Sequence, residues 1–142
     1  MKFWKMSGSG NDFVFVDARG DDLLARRASD PDFVRRVCTP HTGVGSDGVA
    51  IIQSSAAHDF RLTYLNRDGS LGELCGNASL CATRLSVELG ITSPAGLTFS
   101  TDAGVMSGRI RDGEPEVDLQ PPSGLRPDAS ISRLHGELRM GF

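Results

Sequence analysis

Apolar residues recur at Ala78, Cys81, Ala82, Leu85 and Leu89, the spacing of one helix face, and Gly90 follows where a left-handed residue closes a helix. Upstream the period changes. Asp59-Phe60-Arg61-Leu62-Thr63-Tyr64-Leu65-Asn66 alternates apolar with polar positions and puts Phe60, Leu62 and Tyr64 on one face of a strand. Between the two patterns lie the turn pair Asp68-Gly69 and then Cys75. The order is strand, turn, thiol, helix, so Cys75 is expected at a helix N-terminus. Unpaired amides and the helix dipole favour anions there, which lowers a thiol's pKa and offers a seat to a carboxylate. Two readings stay open: a nucleophile or base beside an anion site, or a half-buried cysteine near a turn.

The remaining pattern supplies short elements. Phe3 to Met6 and Phe13 to Asp17 read as strands joined by the loop Ser7-Gly8-Ser9-Gly10-Asn11-Asp12, able to bring backbone amides against a ligand. Asn11 either meets that ligand or serves the turn. After the charged segment Arg19 to Arg27, Ser29-Asp30-Pro31-Asp32 predicts an N-cap, Pro at N1 and a helix to about Cys38, ended by Thr39-Pro40. Gly43-Val44-Gly45-Ser46-Asp47-Gly48 matches the dinucleotide pattern G-x-G-x-x-G literally. A helix precedes it and the buried strand Val49-Ala50-Ile51-Ile52 follows, which is the wrong context, so the reading is close backbone approach to a ligand or a tight turn.

Leu97 to Thr101, Val105 to Arg111 and Glu116 to Gln120 predict an antiparallel meander, followed by a Pro-rich loop from Pro121 to Pro127 and a strand from Glu137 to Phe142. About eight strands with one good helix imply an α+β fold, a curled, mostly antiparallel sheet wrapped around that helix.

At 142 residues this is one domain, residues 1–142. The net charge of −3 carries no Lys/Arg run, so neither nucleic acid nor an anionic membrane is an expected partner, and small molecules and proteins remain. The start, Met1-Lys2-Phe3-Trp4-Lys5-Met6, lacks an apolar h-region, and no later stretch approaches membrane-spanning length. Three cysteines without a disulfide framework fit reduced thiols, and the expected location is cytoplasmic.

Other chemistries compete. Cys38-x-x-His41 with Cys75 and Cys81 could hold zinc, although the gap between the last two is wider than usual. Cys75 with His41, His58 or His135 could be a hydrolase pair, but no hydrolase signature surrounds the thiol. A non-catalytic interaction domain is the remaining alternative.

Lys5-Met6-Ser7-Gly8-Ser9-Gly10-Asn11-Asp12-Phe13, His41-Thr42-Gly43-Val44-Gly45-Ser46-Asp47-Gly48, Asn66-Arg67-Asp68-Gly69-Ser70 and Cys75-Gly76-Asn77 occur in this order. Together they resemble the diaminopimelate epimerase family, cofactor-independent racemases that convert LL- to meso-diaminopimelate on the route to lysine and peptidoglycan. The resemblance implies that Cys75 is one of two catalytic thiols, that Asn11 and Asn66 bind substrate, and that the amides of Gly76 and Asn77 hold its α-carboxylate. It implies no cofactor and no metal. The family fold is two similar halves, each a curled sheet around a central helix, with the active site between them.

Inversion of an α-carbon needs a base and an acid on opposite faces. Cys81 lies six residues along the helix from Cys75, roughly 9 Å of rise and on another face, and is assigned to packing, as is Cys38. The chain is therefore expected to be the N-terminal half, inactive alone, whose partner is the missing C-terminal half with the second thiol; a homodimer through the uncovered surface is a further expectation. Ala78 stands where the family usually has glycine, Leu80 where it has arginine, and Gly48 where some members carry glutamine. These departures bear on which amino acid is turned over, leaving a related racemase with another substrate as the alternative.

Overall fold

In the computed structural model, which describes residues 1–119 and the backbone of 131–134 and 137–140, the elements follow in order. They are β1 (Trp4–Gly8), β2 (Asn11–Asp17), α1 (Asp22–Ala28), α2 (Pro31–Cys38), β3 (Gly48–Gln53), β4 (Phe60–Asn66), β5 (Leu71–Gly72), α3 (Gly76–Glu88), β6 (Leu97–Thr101), β7 (Gly104–Arg111), β8 (Glu114–Asp118), β9 (Ile131–Leu134) and β10 (Glu137–Met140). One sheet runs β1-β2-β3-β4-β6-β7-β8 with β5 added on β4, and β9 pairs with β10 separately. The expected loop from Pro121 to Pro127, Gln120, His135, Gly141 and Phe142 lie outside the described residues.

The expected curled sheet on a central helix is present, with a second layer behind it. Alternate residues of β2 and β3 face opposite ways. Phe13, Phe15, Ala50 and Ile52 join Phe60, Leu62, Phe99 and the α3 residues Ala78, Ala82 and Leu85 in one core. Val14, Val16, Val49 and Ile51 join Ala25 and Ala28 of α1 and Val34 and Cys38 of α2 in another. Burial on both faces explains why β3 reads as an unbroken apolar run.

The antiparallel expectation holds for β6-β7-β8 and is corrected at two seams. β2 and β3 are parallel, Phe13 opposite Gly48 through Asp17 opposite Ile52, and β4 and β6 are parallel at Phe60–Phe99 and Arg61–Ser100. A parallel pair needs a crossover of a dozen or more residues, which α1 with α2, and α3, provide.

The stretch from Arg19 to Arg27, read as merely charged, contains α1. Asp21 caps it by accepting from Leu24 N at 2.9 Å, and Ala25 and Ala28 are its buried face, too small an apolar stripe to stand out in the sequence. The expected start of α2 is borne out: the Asp30 carboxylate accepts from the amides of Asp32 (2.8 Å) and Phe33 (3.0 Å). Helix α3 closes as expected at Gly90, whose amide reaches Val87 O at 3.0 Å while Ile91 N reaches Ser86 O at 2.8 Å, the paired bonds of a Schellman cap.

Two loops are shorter than expected. β1 and β2 are joined by Ser9-Gly10 alone, with φ of 49° and 91°, and Gly8 pairs with Asn11; six residues are not left irregular, because a mirror-image two-residue turn suits the sheet's twist. Likewise Asp112-Gly113 joins β7 to β8, so β8 begins at Glu114, and Pro115 is tolerated on this last strand of the path.

Candidate active site

The topology gathers the expected site residues at one end of the sheet. Asn11 begins β2, Asp47 directly precedes the parallel strand β3, and Asn66 ends antiparallel β4 opposite Gly48. From there the chain turns through β5 and enters α3. Cys75 is the N-cap of that helix, in extended conformation (φ −131°, ψ 104°), and its side chain makes no capping bond. The first helical hydrogen bond is Ser79 N to Cys75 O at 2.9 Å, so the amides of Gly76, Asn77 and Ala78 precede it. The half-buried thiol therefore stands beside the amide-rich end of a 13-residue helix, where an anion is favoured.

A hydrogen-bond chain ties this helix end to β2. The Asn77 side-chain amide donates to Asn11 Oδ1 at 2.8 Å, and Asn11 Nδ2 donates to Asp47 Oδ2 at 3.1 Å. Asp47 also accepts from Asp12 N at 3.0 Å, while its own amide donates to Asp12 O at 2.8 Å and its carbonyl accepts from Arg67 N at 3.0 Å. A carboxylate only accepts, so Asp47 dictates which end of the Asn11 amide faces it and, through Asn11, how Asn77 is turned. The Asp12 amide and then the Asn11 side chain hold the Asp47 carboxyl below its ordinary value. Its stabilisation is therefore fully present above about pH 4 and is lost as pH falls through the lowered value. Asp47→Ala is expected to cost about 1–2 kcal/mol in urea denaturation near neutral pH. Asp47→Asn, which can still accept at one oxygen, should recover most of it; equal losses for both variants would refute the role of that oxygen.

Asn66 is oriented locally. Its side chain donates to Ser70 Oγ at 3.0 Å, and Ser70 is bound in turn to Asp68 Oδ1 through its amide (2.8 Å) and hydroxyl (2.6 Å). The structure thus joins Asn11 and Asn77 by a direct bond, and brings Asn66 to them through the strand pairing with Gly48 and the Arg67–Asp47 backbone bond.

The glycine-rich stretch before β3 closes a helix. The amides of Gly43, Val44, Gly45 and Ser46 donate to the carbonyls of Thr39, Val37, Val37 and Cys38, so of the two open readings it is the tight turn that holds. Cys38 and Cys81 are buried in the cores on opposite faces of the sheet. The zinc reading of Cys38, His41, Cys75 and Cys81 fails for that reason, and among the described residues no three His, Cys, Asp or Glu side chains are grouped to hold a metal. His41 is exposed beyond α2, and His58 precedes β4, at the far end of that strand from Asn66. Among the described residues no helix is long and apolar enough to cross a membrane.

Two site residues escaped sequence reasoning. Asp47 sat inside the rejected dinucleotide match; its signal was an acid between two glycines directly before a buried strand. Tyr64, a polar-tipped aromatic on the inner face of β4 two residues before Asn66, is half-buried against the core that Cys75 also borders.

The fold is shared with solved isomerases and biosynthetic proteins. Methylitaconate-delta-isomerase matches 95% of this chain and 38% of its own length at TM-score 0.59 and 16% identity. A PhzF-family phenazine biosynthesis protein from Bacillus anthracis matches 82% of this chain and 40% of its own at 0.58 and 23%. A probable proline racemase from Agrobacterium radiobacter matches 79% and 38% at 0.55 and 21%. These likenesses define the architecture.

The family follows from sequence: the diaminopimelate epimerase profile matches residues 3–123. Diaminopimelate epimerase of Gemmatimonas aurantiaca is 41% identical over 146 residues, covering 100% of this chain and 51% of that protein. The Aquifex aeolicus enzyme is 41% identical over 149 residues, 99% of this chain and 52% of its own length. The chain belongs to the diaminopimelate epimerase family, and it spans about half the length of the curated relatives it matches.

Proposed function

We propose that this chain supplies one wall of the active site of a cofactor-independent amino-acid epimerase acting on diaminopimelate in the cytoplasm. The observation that carries the reading is the arrangement at α3: an uncapped, accessible thiol at Cys75, the amides of Gly76 and Asn77 beside it, and Asn11 locked to Asn77. In this reading the helix amides bind the α-carboxylate, which orients the α-carbon toward the sulfur, and Asn11 and Asn66 hold the substrate's other polar groups. The Cys75 thiolate takes the α-proton on one face, or, as the thiol, returns it there in the reverse direction. The opposite face needs a second acid. Cys38 and Cys81 cannot supply it, because both thiols are buried in the two cores and burial pushes both up. The second thiol therefore comes from outside these 142 residues.

Leu71, Leu74 and Leu119 are exposed around this wall, Leu119 lying beside Gly76, and they are the surface on which a second half would close and exclude water. With that surface uncovered, self-association into a homodimer is expected. Leu80, in place of the family's arginine, lines the cleft along α3 with Arg109, whose guanidinium is held by Glu116 and Asp118 at 2.8 and 3.0 Å. A cleft altered in this way supports the second reading, a racemase of the same mechanism with a different amino acid.

Incubation with LL-diaminopimelate in deuterated water tests both. An assembled protein containing both halves should yield the meso isomer with deuterium at the α-carbon, whereas residues 1–142 alone should yield none. Stereoinversion by the isolated chain would overturn the two-wall requirement, and exchange on another amino acid but not diaminopimelate would favour the second reading.

A further inference from the structure

Asp47 is fixed in place by bonds that do not involve Asn11. It exchanges two hydrogen bonds with Asp12, Asp47 N to Asp12 O at 2.8 Å and Asp12 N to Asp47 Oδ2 at 3.0 Å, and its carbonyl accepts from Arg67 N at 3.0 Å. Strand β2, the entry to β3 and the turn after β4 are tied together at this one residue. The oxygen that meets Asn11 Nδ2 at 3.1 Å is the same Oδ2 that the Asp12 amide holds. The strands therefore set where the acceptor stands, and Asn11 follows it. The two ends of an amide side chain have nearly the same shape, so partners alone decide which way it turns. A carboxylate oxygen cannot donate. Asn11 thus gives Nδ2 to Asp47 and turns Oδ1 to Asn77, which answers with its own Nδ2 at 2.8 Å. What remains for a ligand is then fixed as well: the second N–H of Asn11, and Oδ1 and the second N–H of Asn77, beside the free backbone amides at the head of α3. The Asp12 amide and then Asn11 hold the Asp47 carboxyl below its ordinary value, so it only accepts throughout the neutral range.

We propose that Asp47 is a positioning residue for the substrate: acting through Asn11, it fixes the order of donors and acceptors that Asn11 and Asn77 present to the head group of an α-amino acid. The inference rests on the reading of the α3 N-terminus as the seat of diaminopimelate. Such a head group is itself ordered, a carboxylate that only accepts beside an ammonium that only donates. The helix amides suit the carboxylate, and Asn77 Oδ1 is an acceptor suited to the ammonium. Were the Asn11–Asn77 pair reversed, Asn77 would offer N–H groups where the ammonium needs an acceptor, and Asn11 Oδ1 would face the anionic oxygen of Asp47.

Steady-state kinetics of an assembled epimerase containing both halves test this. Asp47→Ala should raise KM for LL-diaminopimelate about tenfold with kcat kept within about twofold, because the groups it orders hold substrate and transition state alike. Asp47→Asn, whose oxygen the Asp12 amide keeps in place, should bring KM back to within about threefold of wild type. Since Asp47 acts through Asn11, adding Asp47→Ala to Asn11→Ala should raise KM no further than Asn11→Ala does alone. Where Asp47→Ala does not fold, Asp47→Glu, which keeps the charge but carries its oxygens a methylene farther out, should raise KM in its place. An unchanged KM in the variant that folds, an Asn variant no better than Ala, or effects that multiply in the double variant would each overturn the proposal while leaving Asn11 and Cys75 their roles. An Asn11→Ala variant with unaltered KM, or a wild type that does not turn over diaminopimelate, would count against the functional reading itself, and the inference would fall with it.

Discussion

Cys75→Ala, in an assembled epimerase containing both halves, should reduce stereoinversion by about 10²–10⁴-fold, the contribution of a positioned acid or base. The loss should appear in kcat, with substrate binding largely kept, because the helix amides and Asn11 remain in place. Cys75→Ser should be nearly as inactive, since a hydroxyl is far too weak an acid to be ionised at the start of the cycle. The contrast is Cys81→Ala, which removes a buried sulfur packed where a Cβ on Gly8 would come within 2.8 Å, and which should cost about 1 kcal/mol of stability with turnover kept. Comparable loss of turnover in the Cys81 and Cys75 variants would mean that the helix, rather than the thiol at its start, carries the effect.

Phe60→Ala should lower the stability of the chain by about 3–5 kcal/mol in urea denaturation, a large part of what holds a domain of this size together. Phe60 and Phe99 are both fully buried, and their rings stack at 4.9 Å with an interplanar angle of 4°. They are also cross-strand partners in the short parallel seam between β4 and β6. Removing one ring opens a cavity beneath α3 and weakens the seam joining β1–β4 to β6–β8. Phe99→Ala should cost a similar amount, and the double variant less than the sum by about 0.5–1.5 kcal/mol, the coupling of one aromatic pair. Strict additivity would show that the stack contributes nothing beyond burial.

The parts of the site readable from sequence are those carried by neighbours in the chain. Cys75 at the head of α3 followed from the Asp68-Gly69 turn and the periodic run after Ala78; the Asp30-Pro31 start of α2 and the glycine closing α3 followed from capping chemistry, which acts over three or four residues. Asn11 was noticed but its engagement was not, because its partners Asp47 and Asn77 stand 36 and 66 residues away. Tyr64 read as one inner-face aromatic among several, and only its placement over Gly48 and Gly72 distinguishes it.

Period and punctuation along the chain thus determined most strands, two of the helices and the thiol at a helix start, since these depend on local backbone preference and on which residues share a face. Tertiary structure alone decided the parallel seams, the second helical layer and the Asp47–Asn11–Asn77 chain. Parallel pairing and side-chain hydrogen bonds between distant segments leave no periodic trace, because each is set by where crossovers return the chain rather than by the residues adjoining it.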